Sequence, residues 1–289
     1  MKHSELMNLV RFKTDDGVKP GIITGDGQLL DCSHLVQSWD RQTLPKNHLQ
    51  SVIDSLATQV PNAVPFDPQS LDLPFTGTRS FICVGLNYYE HAAEVGRAVP
   101  TEPLLFMKSV GAICGPNDEI AIPQGAKSLD WETELAVVIS DQCLNVPLDE
   151  VDDVVAGITM VNDISEREWQ RDRGGSWDKG KSYRNFGPVG PYLRRVEKLS
   201  DLTNLKIETK VNNKVRQTGQ TDDMIFDLRF LIHYVSTFFP LEPGDIIATG
   251  TPAGVGAGVK PTPEYLRPND VLSCSITSLG SQRHKIVIE

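Results

Sequence analysis

The sequence predicts an α+β chain in which strands outnumber helices. Three observations lead there. Residues 6–31 alternate strand-like runs with Asp15-Asp16-Gly17 and Asp26-Gly27, the pattern of a small antiparallel meander. Further short apolar runs, among them Ser80–Gly85, Leu135–Ile139 and Gly157–Asn162, are bounded by Gly, Asn or Asp and read as strands. The clearest helical spacing lies in residues 228–238, where Leu228, Leu231, Ile232, Val235 and Phe238 recur at the required interval behind an Asp227 N-cap.

The whole chain sets outer bounds. Its 289 residues suit one large domain or two unequal ones. A formal charge of −10 argues against nucleic acid or an anionic membrane surface as partner. No apolar stretch approaches the roughly 18 residues of a spanning helix. The start, MKHSELMNLV, lacks the basic and apolar segments of a secretion signal. Cys32, Cys83, Cys114, Cys143 and Cys274 are scattered without a CxxC pair, as in a reduced, cytoplasmic protein.

The elements follow in order. Leu6–Lys13, Pro20–Thr24 and Gln28–Asp31 form the predicted meander. Ser33 or His34 through Trp39, and then His48–Ala57, read as short helices. The Pro-containing stretch Val60–Gly77 reads as a linker, which places a boundary near residue 75 between a small N-terminal β-rich module (1–75) and a larger unit (76–289). Beyond the strand Ser80–Gly85, His91 and Glu94 stand three apart. On a helix they share a face, so the carboxylate can orient the imidazole as a general base; an incidental ion pair on a solvated turn has the same spacing. Leu104–Lys108 and Glu119–Pro123 are strand-like. Leu148–Ala156 reads as a short acidic helix.

The run Asp130–Ser140, DWETELAVVIS, sets carboxylates at the mouth of an apolar strand. Side chains alternate along a strand, so Glu132 and Glu134 share a face and stand roughly 7 Å apart. A partly buried pair of that kind needs a compensating cation. An all-oxygen donor set suits Mg²⁺ or Mn²⁺, with Ca²⁺ behind. A solvated strand end is the alternative. Asp163 stands where the strand Gly157–Asn162 empties into a loop, and Ser165–Arg173 reads as a charged helix with Arg167 and Gln170 on one face. Gly175–Ser182 formally satisfies GxxxxGK[ST], but no strand precedes it and a Gly/Pro run follows, so a nucleotide loop is not expected. Residues 205–217 read as a hairpin across Asn212-Asn213. Gly250–Gly256 reads as a rigid loop suited to backbone and hydroxyl contact with a small anion.

Taken together, VGLNYYEHAAE, FMK, DWETELAVVI, VNDISEREWQ, KGKS…FGPVGP, VNN, DMIF and LEPGDIIATGTPAGVG resemble the fumarylacetoacetate hydrolase family over about residues 75–289, in the family's order. The N-terminal module resembles that of bacterial members named ureidoglycolate lyase, and the subgroup resembled most is the 2,4-diketo-3-deoxy-sugar-acid hydrolases. The resemblance implies a mixed, rolled β-sheet, a homodimer, and Mg²⁺ or Mn²⁺ held by Glu132, Glu134 and Asp163. It implies His91 and Glu94 as the water-activating pair, on a lid. It implies that Arg167, Gln170 and Lys181 contact a 2-keto acid substrate, with Lys181 also catalytic, and that Thr251 holds the substrate's carboxylate. Asp130 receives no role. The chain departs from the family pattern at Tyr183-Arg184-Asn185-Phe186, beside Lys181. The implied reaction is hydrolysis of a carbon–carbon bond in a 2,4-diketo acid. Decarboxylation of an oxaloacetate-type acid, isomerisation of a hydroxymuconate-like diacid, and a non-catalytic binding protein are the alternatives.

Overall fold

The computed structural model describes residues 7–56, 58–59, 62–202 and 204–289. Leu6 of the first predicted strand, Ala57 of the second predicted helix, Val60 of the predicted linker and the start of the chain lie outside them.

An eleven-stranded mixed sheet forms the central layer, as the strand-rich α+β reading predicts. Its middle is Thr133–Ile139, paired antiparallel with Val155–Asn162 on one side and with Ile246–Ala248 on the other. Ile246–Ala248 runs parallel to Phe81–Gly85, which pairs antiparallel with Leu104–Lys108. The N-terminal strands join the same sheet. Asn8–Thr14 pairs with Leu193–Arg194, which also meets Val155–Asn162.

All seven residues of Thr133–Ile139 are buried, because both faces of this strand are covered. Leu135, Val137 and Ile139 enter one core with Leu231, Ile232, Val235, Ile207 and Leu272. Ala136 and Val138 enter another with Trp39, Leu44, Leu49 and Phe75. The alternation in TELAVVI therefore feeds two cores, and each fully buried aliphatic side chain stabilises the sheet by about 1.5–3 kcal/mol. The helix Lys46–Ser55 covers the second core with Leu49 and Val52. The first core is closed by the helix Leu228–Phe238 and by a five-stranded sheet built on Lys206–Val211, Lys214–Gln220, Val271–Ile276 and Gly280–Ile288, with Ile120–Ile122 at its edge. The hairpin across Asn212-Asn213 forms as the sequence indicates, both Asn residues taking positive φ (51° and 64°).

Several elements differ from expectation. Residues 33–39 form turns: the Asp31 carboxylate accepts from the Ser33 backbone N–H at 2.9 Å, and the buried Trp39 indole donates to the Gly21 carbonyl at 3.0 Å. These bonds compete with a helix ladder. The predicted acidic helix 148–156 shrinks to a 3-10 turn at Val151–Val154. Val155 and Ala156 instead begin the strand, where the ladder against Thr133–Ile139 outweighs helix propensity. The predicted helix 165–173 gives up Ser165–Glu166 to a two-residue ladder with Leu129–Asp130, leaving a helix at Arg167–Arg171 that Gly174 and Gly175, both at positive φ, do not extend. The predicted linker contributes two strands, Asn62–Val64 and Leu71–Asp72, to the main sheet. Phe238, the last of the apolar positions at helical spacing, is 58% exposed and packs edge-on against Tyr234.

The helix Leu228–Phe238 starts where Asp227 accepts from the Phe230 N–H at 2.8 Å. Asp227→Ala should lower stability by about 1 kcal/mol, the usual worth of an N-cap, read as a lowered urea midpoint at unchanged m-value.

Candidate active site

The strand Thr133–Ile139 delivers Glu134 on the face that carries Ala136 and Val138. Glu132 lies just ahead of it and is stitched to the neighbouring strand. Its N–H donates to the Asn162 side chain at 3.0 Å, and its carbonyl accepts from the Asp163 N–H at 2.8 Å. That pairing brings Asp163 beside the two glutamates. One oxygen from each of Glu132, Glu134 and Asp163 lies within 4.8 Å of the others, and all three residues are buried.

Three cations are buried with them. The Lys181 ammonium donates to Glu132 at 2.6 Å and also to Asp163. Lys108, 1% exposed, places its ammonium 2.6 Å from Asp163 Oδ1, although the angle there is poor for a hydrogen bond. It donates to the Ile164 carbonyl at 3.2 Å and to the Lys181 carbonyl. Arg167 donates to Glu132 Oε1 at 2.6 Å, to Asp130 Oδ2 at 2.8 Å and to Gln170 Oε1 at 3.1 Å. Asp130 also accepts from the Trp131 N–H at 2.8 Å, the Gly256 N–H at 2.7 Å and the Ala257 N–H at 2.9 Å. It is a clamp that fixes Arg167 against the loop 250–257.

These contacts set the charge states. Burial alone would raise the Glu132 pKa, but Arg167, Lys181 and His91 hold it well below the usual carboxylate range. Burial alone would lower the Lys181 pKa, yet Asp163 and Glu132 raise it above that of a free lysine. Glu134 is different. Burial and then the charges of Asp163 and Glu132 push its pKa well up, and the Gly250 N–H at 2.9 Å is its one hydrogen-bond donor among the described residues.

His91 and Glu94 lie on the short helix Tyr89–Glu94. His91 Nδ1 is 2.9 Å from Glu94 Oε2, and Glu94 Oε1 accepts from the Gly254 N–H at 2.9 Å. A side chain at Gly258 would come within 2.3 Å of the Glu94 carboxyl carbon, so glycine there makes room for the dyad. Asn87, fully buried, anchors this segment by donating to the Phe226 and Thr249 carbonyls and accepting from the Phe226 N–H. The helix expected on a lid is thus packed in place.

His91, Glu94, Glu132, Glu134, Asp163, Arg167, Gln170, Lys181 and Thr251 all border one cavity of about 390 Å³. Every predicted site residue is therefore brought to one place. The Thr251 hydroxyl, however, donates to the Thr133 carbonyl at 2.9 Å and accepts from Gln217 at 2.8 Å, so its hydroxyl proton is already committed. The amides of Gly250, Gly254 and Gly256, expected to face a small anion, bind the carboxylates of Glu134, Glu94 and Asp130 instead, and the Ala257 amide joins them on Asp130. The glycine of GKS serves packing: a side chain at Gly180 would meet the Gln170 backbone nitrogen and the Glu166 carbonyl at 2.5 Å. The helix Asp178–Lys181 is no phosphate loop; it aims Lys181 at the acids.

Sequence reasoning missed Asp130, Lys108, Asn87 and Gln217. Lys108 carried two signals, its place at the end of the motif FMK and a lone charge closing the apolar strand Leu104–Lys108.

The three acids fit a divalent cation. Their donors are all oxygen, which suits a hard ion. Four buried carboxylates (Asp130, Glu132, Glu134, Asp163) face three buried cations (Lys108, Arg167, Lys181), so the fourth acid, Glu134, would ionise readily only with a further cation beside it. Glu134 in particular lacks a cationic partner among the described residues.

Comparison with known proteins gives the family. The family model described as "Fumarylacetoacetate (FAA) hydrolase C-terminal" matches residues 80–287, and the chain belongs to that family. A Burkholderia multivorans protein named "Putative hydrolase" is 41% identical over 285 residues, covering 96% of this chain and 97% of that relative. Among solved structures, a fumarylacetoacetate hydrolase from psychrophilic Exiguobacterium antarcticum superposes with TM-score 0.85 at 30% identity, covering 98% of this chain and all (100%) of that one. A probable 2-hydroxyhepta-2,4-diene-1,7-dioate isomerase from Mycobacterium abscessus superposes with TM-score 0.82 at 30% identity, covering 98% of this chain and 99% of that one. The chain is thus an enzyme of a hydrolase and isomerase fold.

An acid whose folded-state pKa lies above its unfolded value opposes folding increasingly as pH rises past the unfolded value. In EDTA-treated protein, Glu134→Gln should therefore raise the melting temperature, by more at pH 8 than at pH 5. Mg²⁺ should stabilise the native chain and not the variant, as read by thermal unfolding with and without the ion.

Proposed function

We propose that the chain is a divalent-metal-dependent hydrolase that splits a 2,4-diketo acid (an acylpyruvate, such as a 2,4-diketo-3-deoxy sugar acid) into pyruvate and a second acid. The observation that carries this is the His91–Glu94 dyad, fastened by the Gly254 amide and bordering the same cavity as Glu132, Glu134 and Asp163.

A Mg²⁺ or Mn²⁺ ion held by those three acids would supply Lewis-acid charge for the 2-keto acid end of the substrate. Arg167 and Gln170, locked together at 3.1 Å, orient that end. The Thr251 hydroxyl is engaged, so Thr251 contributes at most a backbone contact to the carboxylate. Glu94 holds His91 Nδ1, which leaves Nε2 to take a proton from water. The resulting hydroxide adds to the C4 carbonyl. The C3–C4 bond then breaks, its electron pair goes to C3 as the pyruvate enolate, and the proton on His91 is returned to C3. The Lys181 ammonium, buried and held protonated by Asp163 and Glu132, stabilises the enolate oxygen as charge develops.

Isomerisation of a diacid is the second reading. The similarity to structures described as dioate isomerases favours it, and it needs no attacking water. Decarboxylation of an oxaloacetate-type acid shares that feature. Assay with Mg²⁺ on acylpyruvates, oxaloacetate and 2,4-diketo-3-deoxy sugar acids separates them: hydrolysis yields pyruvate and a second acid in equal amounts, decarboxylation yields pyruvate and CO₂ with no second acid, and an isomerase yields no pyruvate.

We also propose a cytoplasmic homodimer. No helix among the described residues is long and apolar enough to cross a membrane. The stacked Phe226, Phe230 and Tyr234, extended by the exposed Phe238, offer an apolar strip for a second copy. Light scattering showing a monomer at micromolar concentration would remove the dimer.

Two variants test the site. Glu132→Gln should lose metal affinity and activity together. His91→Ala should keep metal affinity, measured by calorimetry, and lose turnover by about 10²–10⁴-fold. Full activity in His91→Ala sinks the dyad assignment.

A further inference from the structure

We propose that Lys108 is a positioning residue of this site: from behind the cavity wall it holds Lys181 and Asp163 in register, so that the Lys181 ammonium faces the reacting oxygen. The proposal rests on the 2-keto acid reading, in which Lys181 meets the enolate oxygen, and adds what keeps it there.

Lys108 closes the strand Leu104–Lys108, the outermost strand at one end of the main sheet. A lysine at such an edge ordinarily turns to solvent. Its side chain is instead wholly buried (0% exposed). Phe106 and Lys181 border the cavity and Lys108 does not, so it offers no surface to a substrate. Its ammonium is committed to the protein. It donates to the Ile164 carbonyl at 3.2 Å and to the Lys181 carbonyl, and it stands 2.6 Å from Asp163 Oδ1. One cation thus spans the loop that carries Asp163 and the helix that carries Lys181, two residues 18 positions apart in the chain.

Lys181 needs such a hold. Its helix, Asp178–Lys181, has four residues, and a single turn is not stable by itself. The carbonyls at a helix C-terminus have no partner within the helix, and Lys108 supplies one to the last of them as a charge-assisted bond. Residues two apart on a strand share a face, so Phe106 points the same way as Lys108. Its ring lies 4.9 Å from the Lys181 ammonium. One face of one strand therefore grips Lys181 at both ends, Lys108 on the backbone and Phe106 under the charge. The next residue adds a second tie, the Ser109 N–H donating to the Ser182 hydroxyl at 2.9 Å. Gly187 leaves room for the lysine stem: a side chain there would come within 3.3 Å of Lys108 Cδ. Without Lys108 the acids still attract the Lys181 ammonium, but the backbone from which it reaches is freed on one side. A shift of about 1 Å in a group that meets developing charge can cost about 10²-fold.

Equilibrium binding tests this without requiring turnover. Oxalate, a planar dianion, stands in for the pyruvate enolate, and pyruvate itself for the keto form. Each is titrated calorimetrically into the Mg²⁺-loaded protein. Lys108→Met should lower the ratio of oxalate to pyruvate affinity by about tenfold, less than the loss of a whole oxyanion donor. Mg²⁺ affinity should hold or rise, because the variant removes a cation 2.6 Å from one of the three acids. In a Lys181→Met background the same substitution should change the ratio by less than about twofold, as it must if Lys108 acts through Lys181. Thermal unfolding checks folding. If Lys108→Met does not fold, Ser182→Ala takes its place, with an expected fall of about two- to threefold. An unchanged ratio in the folded variant overturns the proposal alone, as does an equal fall with and without Lys181, or a Mg²⁺ affinity that falls together with that for both anions. Failure of both anions to bind the native protein overturns the 2-keto acid reading and the proposal with it.

Discussion

Four carboxylates and three cations share one buried volume here, and removing each from water carries a penalty of several kcal/mol. Coulomb attraction offsets that penalty only when every ion is held by good contacts, so geometry at the cluster is tightly constrained. Glu132 answers both Arg167 and Lys181, and Asp163 answers both Lys181 and Lys108. Asp130 binds one guanidinium and three backbone amides. Much of the local backbone is shaped to bring donors to these acids. The loop 250–257 turns its amides inward toward Glu134, Glu94 and Asp130, which its glycines permit. Gly250 and Gly254 both take positive φ (95° and 104°).

The cluster also depends on the layers around it. Thr133 sits between Glu132 and Glu134 and faces the five-stranded sheet. Its hydroxyl meets Thr209 at 2.6 Å, and its N–H donates to Gln217 at 3.2 Å. Gln217 in turn donates to Thr251 and to the Pro252 carbonyl. One fully buried amide thus ties the acid-bearing strand to the loop that anchors the dyad. A buried polar network tolerates few arrangements when all its members are satisfied. The acids on one face therefore inherit their register from hydrogen bonds on the other.

The legible parts of this molecule are those written in local pattern. TELAVVI reads as a buried strand from composition alone, and Asp227 with its following apolar spacing reads as a capped helix. His91–Glu94 is legible because three residues apart on a helix is a contact. Asp130 and Lys108 were not legible, since their partners lie 37 and 126 positions away for Asp130 and 56 away for Lys108. Helix propensity misled at residues 33–39 and 148–156 for a related reason: a Trp39 indole bond to Gly21 and a ladder to Thr133–Ile139 decide those segments from outside them. The roles assigned to the acids came from resemblance over the whole set of motifs, which no single spacing supplied.

Lys181 shows how context decides what a motif means. GKS after a glycine at the right distance satisfies a phosphate-loop pattern, and a lysine in such a loop would point at phosphate oxygens. Here the preceding helix Arg167–Arg171 packs against Gly180 with no space for a side chain. That contact fixes the helix Asp178–Lys181 so that the ammonium meets Glu132 and Asp163 and lies over the Phe106 ring. The same three letters thus supply a buried cation to an acidic cluster. What selects between the two outcomes is the neighbour on either side: the helix Arg167–Arg171 in place of a nucleotide-binding strand, and a Gly/Pro run in place of a long helix whose N-terminal amides could receive an anion.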